Sequence, residues 1–344
     1  MINPKIIDWD SLGFDFVETK SMYKAVSNKN GSWENGGLIP SGNISISPAA
    51  GVLNYGQGVF EGMKAYRTSK NRIILFRPEM NAKRFSGSLK RLCMPDIDVE
   101  YFMNAVLETV RDNIDYIPPF AQGSLYIRPI AWGTAPTLGV KPAEEYTFMI
   151  YVCPVGSYFK GNIKALHLVV SNNYHRAAPK GIGNVKAIGN YSASLYPSSQ
   201  AKNNGFDEVI YLNSDNENLV EELGSANMFA LSENVLKTPR LAGSILPGIT
   251  RNSVLTIARE KLGLEVQESD LTLKELLSAD EVFCTGTAVV VTPVGKITHN
   301  EKTHLINNNK MGPITDKLRK TILGIQHEEL EDTFGWIYDI DESI

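Results

Sequence analysis

The order of predicted strands and helices constrains the fold of this chain more than any other sequence feature. Two amphipathic helices are predicted at residues 79–92 and 99–113, because apolar side chains recur on one face of each. Two strands rich in β-branched and aromatic residues follow at 124–132 and 146–154. Further along, strands and helices mix without the regular βαβ rhythm of a doubly wound sheet. The pattern therefore predicts α+β or α/β architecture with mixed, largely antiparallel sheets.

The second half of the chain continues this mixture. Strands are predicted at 165–171, 208–212, 235–237 and 281–285, and helices at 250–262, 273–277 and 313–326. Between two of these strands, residues 172–190 form a long connection rich in Gly and Asn. A connection of that length inside a compact protein usually has a function.

The length of 344 residues indicates about two domains, since domains typically span roughly 100–200 residues. The best boundary is Val155-Gly-Ser-Tyr-Phe-Lys-Gly-Asn162, where a strand pattern gives way to turn-forming residues. We predict a smaller N-terminal domain at 1–155, a connection at 156–164 and a larger C-terminal domain at 165–344. A ligand site is expected in a cleft between the two domains.

Charge and cysteine content exclude several classes of function. With a net charge of -4, the chain has no basic character to favour nucleic acid or an anionic membrane as partner. The N-terminus lacks the layout of a signal or transit peptide, and no apolar run reaches the ~18 residues of a membrane span. The 3 cysteines are isolated, which argues against a disulfide framework or a zinc site. We therefore predict a cytoplasmic protein without a bound metal.

Lys186 lies in the glycine-containing stretch Gly183-Asn-Val-Lys186-Ala-Ile-Gly189-Asn-Tyr191. A lysine amine becomes a nucleophile when burial or a neighbouring cation lowers its pKa. Together with the phenol of Tyr191, such an amine suits a Schiff base to pyridoxal phosphate. A solvated loop lysine is the plain alternative. A dinucleotide fingerprint is excluded, because Lys186 stands where G-x-G-x-x-G requires its third glycine.

Two downstream segments supply other groups that this cofactor needs. Glu221 and Glu222 follow an apolar strand. A carboxylate beside the pyridine nitrogen would keep that nitrogen protonated. The alternative is that both carboxylates are solvated charges on a turn. At Leu246-Pro-Gly-Ile-Thr250, a turn runs into a helix whose first N–H groups suit a phosphate, although an ordinary capped helix has the same pattern. The small-residue turn Cys284-Thr-Gly-Thr-Ala288 adds hydroxyl groups.

Taken together and in order, these segments and several others resemble one family. From about Phe14 to Gln326 the chain closely resembles the branched-chain amino acid aminotransferases, which are fold-type IV pyridoxal phosphate enzymes. The blocks that carry the resemblance are Phe60-Glu-Gly-Met-Lys-Ala-Tyr66, Leu75-Phe-Arg-Pro78, Asn81-Ala-Lys-Arg84, Tyr126-Ile-Arg128-Pro129, Cys153-Pro-Val-Gly-Ser-Tyr158-Phe, Gly183-Asn-Val-Lys186 through Tyr191, Glu222-Leu-Gly-Ser225, Leu246-Pro-Gly-Ile-Thr-Arg251 and Gly286-Thr287-Ala288.

The resemblance implies a set of residues that bind pyridoxal 5'-phosphate. Lys186 would carry the Schiff base and move the substrate proton, and Glu222 would pair with the pyridine nitrogen. Tyr191 would donate to the ring hydroxyl oxygen. The phosphate would be held by the Arg84 guanidinium, the N–H groups of Ile249 and Thr250 and the hydroxyl of Thr287. Ser225 keeps a hydroxyl where many relatives have threonine.

The resemblance also implies a substrate pocket and a homodimer. The pocket residues would be Phe14, Tyr55, Phe60, Tyr126, Arg128, Tyr158 and Ala288, with Val140 contributed by a neighbouring subunit. Aromatic walls suit aliphatic side chains, although any one of these aromatics equally suits plain core packing. On a strand, Tyr126 and Arg128 share a face that Ile127 does not, and we expect Arg128 to bind the side-chain carboxylate of glutamate.

The reaction implied is reversible transfer of the amino group of L-leucine, L-isoleucine or L-valine to 2-oxoglutarate, by a ping-pong mechanism that yields branched 2-oxo acids and L-glutamate. The alternatives are a D-amino acid aminotransferase, an aminodeoxychorismate lyase, or a non-catalytic binding protein on the same scaffold. One departure concerns the C-x-x-C that mammalian members carry after the Gly-Thr-Ala block. Val289 and Thr292 stand at those positions, so no thiol-disulfide switch is expected there.

Overall fold

A computed structural model describes residues 4, 7–28, 31–156 and 164–341. Up to residue 156 the elements are, in chain order, β1 (Ser21–Asn28), β2 (Trp33–Pro40), α1 (Gly51–Tyr55), β3 (Gly58–Phe60), β4 (Met63–Arg67), β5 (Ile73–Phe76), α2 (Pro78–Arg91), α3 (Val99–Asp112), β6 (Ser124–Gly133) and β7 (Glu145–Val155). Helix α2 begins at a proline, whose fixed φ suits the first turn of a helix. Helix α3 begins after Asp98, whose side chain accepts a hydrogen bond from the N–H of Tyr101.

The remaining elements follow residue 164. They are β8 (Leu166–Val170), α4 (Ile188–Ser192), α5 (Leu195–Asn203), β9 (Glu208–Leu212), β10 (Val220–Leu223), β11 (Asn227–Ser232), β12 (Val235–Pro239), α6 (Ile249–Glu260), β13 (Glu265–Ser269), α7 (Leu273–Ser278), β14 (Glu281–Gly286), β15 (Val290–His299), β16 (Lys302–Leu305), α8 (Pro313–Gln326) and β17 (Ile337–Asp339). Across the described ranges, no helix is both long enough and apolar enough to cross a bilayer.

The described residues form two compact units. The first contains the residues up to 156 together with Val185–Gly189 and the chain from Gly324 onward, and the second contains 164–184 and Asn190–Leu323. The sequence predicted a single C-terminal domain at 165–344, and the structure differs from this at two places. The segment around Lys186 bonds to β3, and β17 pairs with β5, so both join the first unit. Most of the connection predicted at 156–164 lies outside the described residues.

The first unit is built on one antiparallel sheet. Its strand order is β17-β5-β4-β6-β7-β1-β2, with β3 pairing on β6. Helices α2 and α3 cover one face, where Phe85 and Phe102 pack in the same core as Ile127 and Phe148. Because side chains alternate along a strand, the neighbours of Ile127 on β6 lie on the other face of the sheet. Those neighbours are Tyr126 and Arg128.

The second unit contains a mixed sheet with the order β10-β9-β8-β15-β14-β11-β12-β13. Strand β10 also pairs with β11, so the strands from β10 to β11 close into a ring. The pairs β8–β9, β8–β15 and β12–β13 are parallel, and the other pairs are antiparallel. The predicted mixed and largely antiparallel sheets are therefore confirmed.

Candidate active site

The backbone of Lys186 is fixed by two elements of the first unit. Its carbonyl accepts a hydrogen bond from the Phe60 N–H at 3.1 Å, beside a bridge between Val59 and Ala187. Its own N–H donates to Ser88 Oγ on α2 at 3.2 Å. The segment therefore continues the ladder of β3 and is tied to a helix, which holds the lysine in a defined place.

The amine of Lys186 lies in a positively charged and partly apolar environment. Its Nζ is 4.6 Å from the centroid of the Phe60 ring. Burial lowers the pKa of the amine from 10.5 to about 8, and the positive charge of Arg84 contributes to the shift. A lysine with a pKa near 8 keeps a reactive neutral fraction at physiological pH, as a nucleophilic lysine requires.

Arg84 forms a two-bond ion pair with Glu61, a residue to which the sequence analysis assigned no role. Arg84 Nε donates to Glu61 Oε1 at 2.7 Å, and Nη2 donates to Oε2 at 2.8 Å. Asn81 Nδ2 donates to the same carboxylate at 2.8 Å. Burial opposes the charge of Glu61, but the Arg84 charge and hydrogen bonds outweigh it, so the pKa of Glu61 lies below its usual range. The sequence feature that could have indicated a role for Glu61 is its place in the Phe60-Glu-Gly block, which carries part of the family resemblance.

The predicted substrate residues of β6 lie together on one face of the sheet. Arg128 Nη2 donates to Tyr126 Oη at 3.0 Å. The Arg128 guanidinium lies 4.7 Å from the Phe60 ring centroid and 5.2 Å from that of Tyr126. Phe14 makes an edge contact with Tyr126 at 5.7 Å between ring centroids. Four predicted pocket residues thus form one contiguous group.

This group does not include three other predicted pocket residues. They are Tyr55, Val140 and Tyr158. The hydroxyl of Tyr55, which is 40% exposed, donates to the carbonyl of Leu138. Leu138 and Val140 are 90% and 88% exposed, so neither packs against the described part of the chain. Tyr158 lies outside the described residues.

In the second unit, Glu222 is a buried carboxylate on β10. It pairs with Arg176 at 2.8 Å, and accepts from Asn227 Nδ2 and the Leu246 N–H at 2.9 Å each. Three donors favour its ionised form. Arg176, ten residues before Lys186, was not anticipated, because a single arginine in a long connection reads as solvated.

Glu221, the alternative partner for the pyridine nitrogen, has a different environment. It accepts from Ser244 Oγ and from Asn213 Nδ2, and burial raises its pKa. Both glutamates are only 2% exposed, so the solvated-turn interpretation of this segment is wrong. Neighbouring residues on a strand face opposite sides, which explains why only Glu222 pairs with Arg176.

The remaining predicted cofactor residues of the second unit lie at turns and helix starts. Helix α6 begins at Ile249 and Thr250 after Gly248, and among the described side chains none caps its first turn. Thr287 and Ala288 lie in the turn between β14 and β15 and are partly buried. Ser225 is exposed directly after β10, and Tyr191 is partly buried in α4. An uncapped helix start fits the phosphate interpretation better than the ordinary capped helix.

Comparison with known proteins decides the family. The sequence model of "Amino-transferase class IV" matches residues 58–297, a span that contains most of the residues described above. The chain belongs to the class IV aminotransferase family. This confirms the resemblance found in the sequence, the fold class, and transaminase chemistry with pyridoxal phosphate.

Individual relatives of this aminotransferase match over nearly its whole length. "Branched-chain amino acid aminotransferase 2, chloroplastic" of Humulus lupulus is 48% identical, covering 97% of this chain and 82% of its own. "Branched-chain amino acid aminotransferase 1, mitochondrial" of the same plant is 46% identical, covering 98% and 86%.

Solved structures agree with this match. The branched-chain amino acid aminotransferase of Escherichia coli superposes with a TM-score of 0.82 at 29% identity, covering 94% of this chain and 100% of its own. That of Thermobaculum terrenum, in its PLP form, superposes with a TM-score of 0.79 at 26% identity, covering 94% and 99%.

The predicted cytoplasmic location of the aminotransferase is wrong. Several of its most similar plant relatives are chloroplastic or mitochondrial proteins by name. The prediction rested on charge, on cysteine content and on an N-terminal sequence without the layout of a signal or transit peptide. Compartment is decided by signals that receptors read, and these leave no trace in the composition of the folded part.

We expect mild oxidation to leave the aminotransferase active. Cys153 and Cys284 are buried, and burial raises the pKa of the Cys284 thiol to about 12, so neither forms a reactive thiolate. Where mammalian members carry C-x-x-C, the Thr292 hydroxyl donates to the Val289 carbonyl at 2.8 Å. Activity is measured before and after brief peroxide treatment, with a Cys93→Ser variant as control because Cys93 is exposed. Inactivation of the wild-type protein that dithiothreitol reverses would contradict the prediction, and protection in Cys93→Ser would assign the effect to Cys93.

Proposed function

We propose that this chain is a branched-chain amino acid aminotransferase that transfers the amino group of L-leucine, L-isoleucine or L-valine to 2-oxoglutarate. The observation that carries the proposal is the amine of Lys186, fixed on β3 and α2 with its pKa lowered to about 8, in a chain of the class IV aminotransferase family. The branched-chain aminotransferases among its relatives support the substrate class.

The residues present fit pyridoxal phosphate. A lysine amine with a lowered pKa suits an aldehyde, and a partly buried guanidinium and an uncapped helix start suit a phosphate. When bound, the cofactor supplies an electron sink for the bonds at the substrate α-carbon. Lys186 would supply the amine that bonds the cofactor, and the same amine would take the proton from the substrate α-carbon. Arg84, the first N–H groups of α6 and the Thr287 hydroxyl bind the phosphate.

Glu222 keeps the pyridine nitrogen protonated in this proposal, and Tyr191 and Ser225 add hydroxyl donors. Arg176 and the two other donors to Glu222 hold its carboxylate in the ionised form. An ionised carboxylate favours a proton on a nearby nitrogen, which strengthens the electron sink. For Glu221, burial outweighs the hydrogen bonds from Ser244 and Asn213, so its pKa is raised.

The substrate side chain binds against aromatic walls. Phe14, Phe60 and Tyr126 lie around Arg128 in the first unit, and Tyr158 and Ala288 belong to the same proposed pocket. We also propose a homodimer, in which Val140 of one subunit enters the substrate pocket of the other. Val140 and Leu138, at 88% and 90% exposure, support it, because exposed apolar side chains close together in the chain are typical of a surface that a partner covers.

The Glu222→Gln variant tests the pyridine partner. We expect it to retain cofactor but to lose about 100-fold or more in turnover, the scale for removing one electrostatic contact in an active site. Cofactor content is measured by absorbance, turnover with leucine and 2-oxoglutarate, and folding by thermal denaturation. Glu221→Gln is the matched control, because Glu221 lies next to Glu222 on the same strand and is equally buried, and burial raises its pKa. If the two variants lose turnover equally, Glu222 is not the partner.

A further inference from the structure

One face of α2 holds two separate chain segments in the first unit. Asn81, Arg84 and Ser88 recur at spacings of three and four residues, so they lie along one side of the helix. Asn81 and Arg84 bond to the carboxylate of Glu61, directly after β3. Ser88 bonds to the N–H of Lys186. The carboxylate and the lysine are therefore positioned by the same helix.

Four charged or titratable groups act on the Lys186 amine. Arg84 from α2 and Arg128 from β6 are cations that oppose its protonation. Glu61 after β3 and the Tyr126 phenol on β6 favour its protonated form. Glu61 is the carboxylate of this group, and it is entirely buried. Among these four groups, Glu61 is the carboxylate that offsets the two cations around the amine.

Building on the proposed function, we propose that Glu61 is a positioning residue for transamination, which holds the Arg84 guanidinium in place and supplies the negative charge that faces the Lys186 amine. An arginine has many rotamers, and a two-bond pair to a buried carboxylate restricts it to one. Lys186 gains a countercharge from the same group. One carboxylate thus serves both the predicted phosphate contact and the predicted nucleophile.

Replacing Glu61 by glutamine tests the role of its charge while leaving the size of the side chain almost unchanged. Glu61→Gln keeps the volume but removes the negative charge, and its amide directs N–H donors toward a guanidinium that is itself a donor. The two-bond geometry is lost, and of the four groups named above only the two cations and the Tyr126 phenol still act on Lys186. We therefore expect Lys186 to lose its proton at lower pH in the variant. Glu61→Asp keeps the charge and should restore the wild-type behaviour in large part.

The experiment measures the protonation of Lys186 in the full-length, cofactor-free protein. Acetic anhydride labels neutral amines, and mass spectrometry of the Lys186 peptide gives the labelled fraction at each pH. We expect the midpoint to fall by roughly one pH unit in Glu61→Gln, the lower end of the effect of a neighbouring charge. Glu79→Gln, which removes a carboxylate from the first turn of the same helix, is the control and should leave the midpoint unchanged.

The outcomes separate a positioning role from a structural one. A purely structural role lowers the unfolding temperature of Glu61→Gln without moving the midpoint, and an unchanged midpoint in the folded variant overturns the inference. If Glu61→Gln does not fold, the double variant Glu61→Gln/Arg84→Gln leaves no unpaired buried charge from this pair. Compared with Arg84→Gln alone, it should show the lower midpoint, and equal midpoints overturn the inference.

The proposed function has a different point of failure. Acetylation uses neither cofactor nor substrate, so its result does not depend on transamination. Wild-type protein that fails to attach pyridoxal phosphate at Lys186 under borohydride would refute the proposed function. If borohydride attaches the cofactor to Lys186 in the wild type but the acetylation midpoint of Lys186 is unchanged in Glu61→Gln, only the role of Glu61 is refuted.

Discussion

Replacing Lys186 by alanine should reduce transamination to below detection while the protein remains folded. The variant lacks the one amine that bonds the cofactor and takes the substrate proton, and alanine has no group that can do either. The buried Glu61–Arg84 pair keeps its own hydrogen bonds in the variant, so the first unit loses little stability. Wild-type protein with pyridoxal phosphate should be yellow, and borohydride should label the peptide that contains Lys186.

The control for this variant is Lys180→Ala. Lys180 belongs to the same long connection but is exposed, and we expect its replacement to change neither colour nor turnover. Turnover with leucine and 2-oxoglutarate, the visible absorbance band and the borohydride label are compared in the three proteins. If Lys186→Ala keeps both band and turnover, another amine bonds the cofactor and the proposed function loses its central residue.

The parts of the fold that the sequence predicted well are those with a local signal. The predicted helix at 313–326 and the strand at 208–212 coincide with α8 and β9, because periodicity and composition mark both ends. Strand β2, in contrast, contains Gly36, Gly37 and Pro40, which are residues typical of turns. It forms because β1 pairs with it along its length, and pairing between strands is not visible in a single segment.

The candidate site shows the same division. Lys186 was identified from its own glycine-rich surroundings, and Arg84 from a resemblance in sequence order. Glu61 was not predicted from the sequence, because its role depends on Arg84. Arg84 lies 23 residues later and contacts Glu61 only because α2 packs on the sheet. The Lys186 segment likewise joins the first unit through bonds to β3, which no local pattern encodes. Contacts between distant segments are what a sequence pattern leaves undetermined.

Arg128 leads to the second large effect, which concerns how one pocket accepts both leucine and glutamate. An apolar pocket alone rejects a side-chain carboxylate, since an unpaired buried charge is costly. The Arg128 guanidinium lies beside the rings of Phe60 and Tyr126 and donates to the Tyr126 hydroxyl. A guanidinium over aromatic rings presents a charged fork for a carboxylate, while the rings offer an apolar surface to an aliphatic chain. The hydroxyl of Tyr55, another residue of the predicted pocket, donates to the Leu138 carbonyl.

Arg128→Ala should therefore impair the half-reaction with glutamate much more than that with leucine. We expect the difference to be roughly 2–5 kcal/mol of transition-state binding, because the variant leaves the substrate carboxylate without its partner. Pre-steady-state measurement of each half-reaction, with cofactor absorbance as the signal, separates the two. Arg128→Lys is the control that keeps the charge but not the fork, and it should recover part of the loss with glutamate. Equal losses with both amino acids in Arg128→Ala would mean that Arg128 binds the α-carboxylate common to both, and dual specificity would then need another residue.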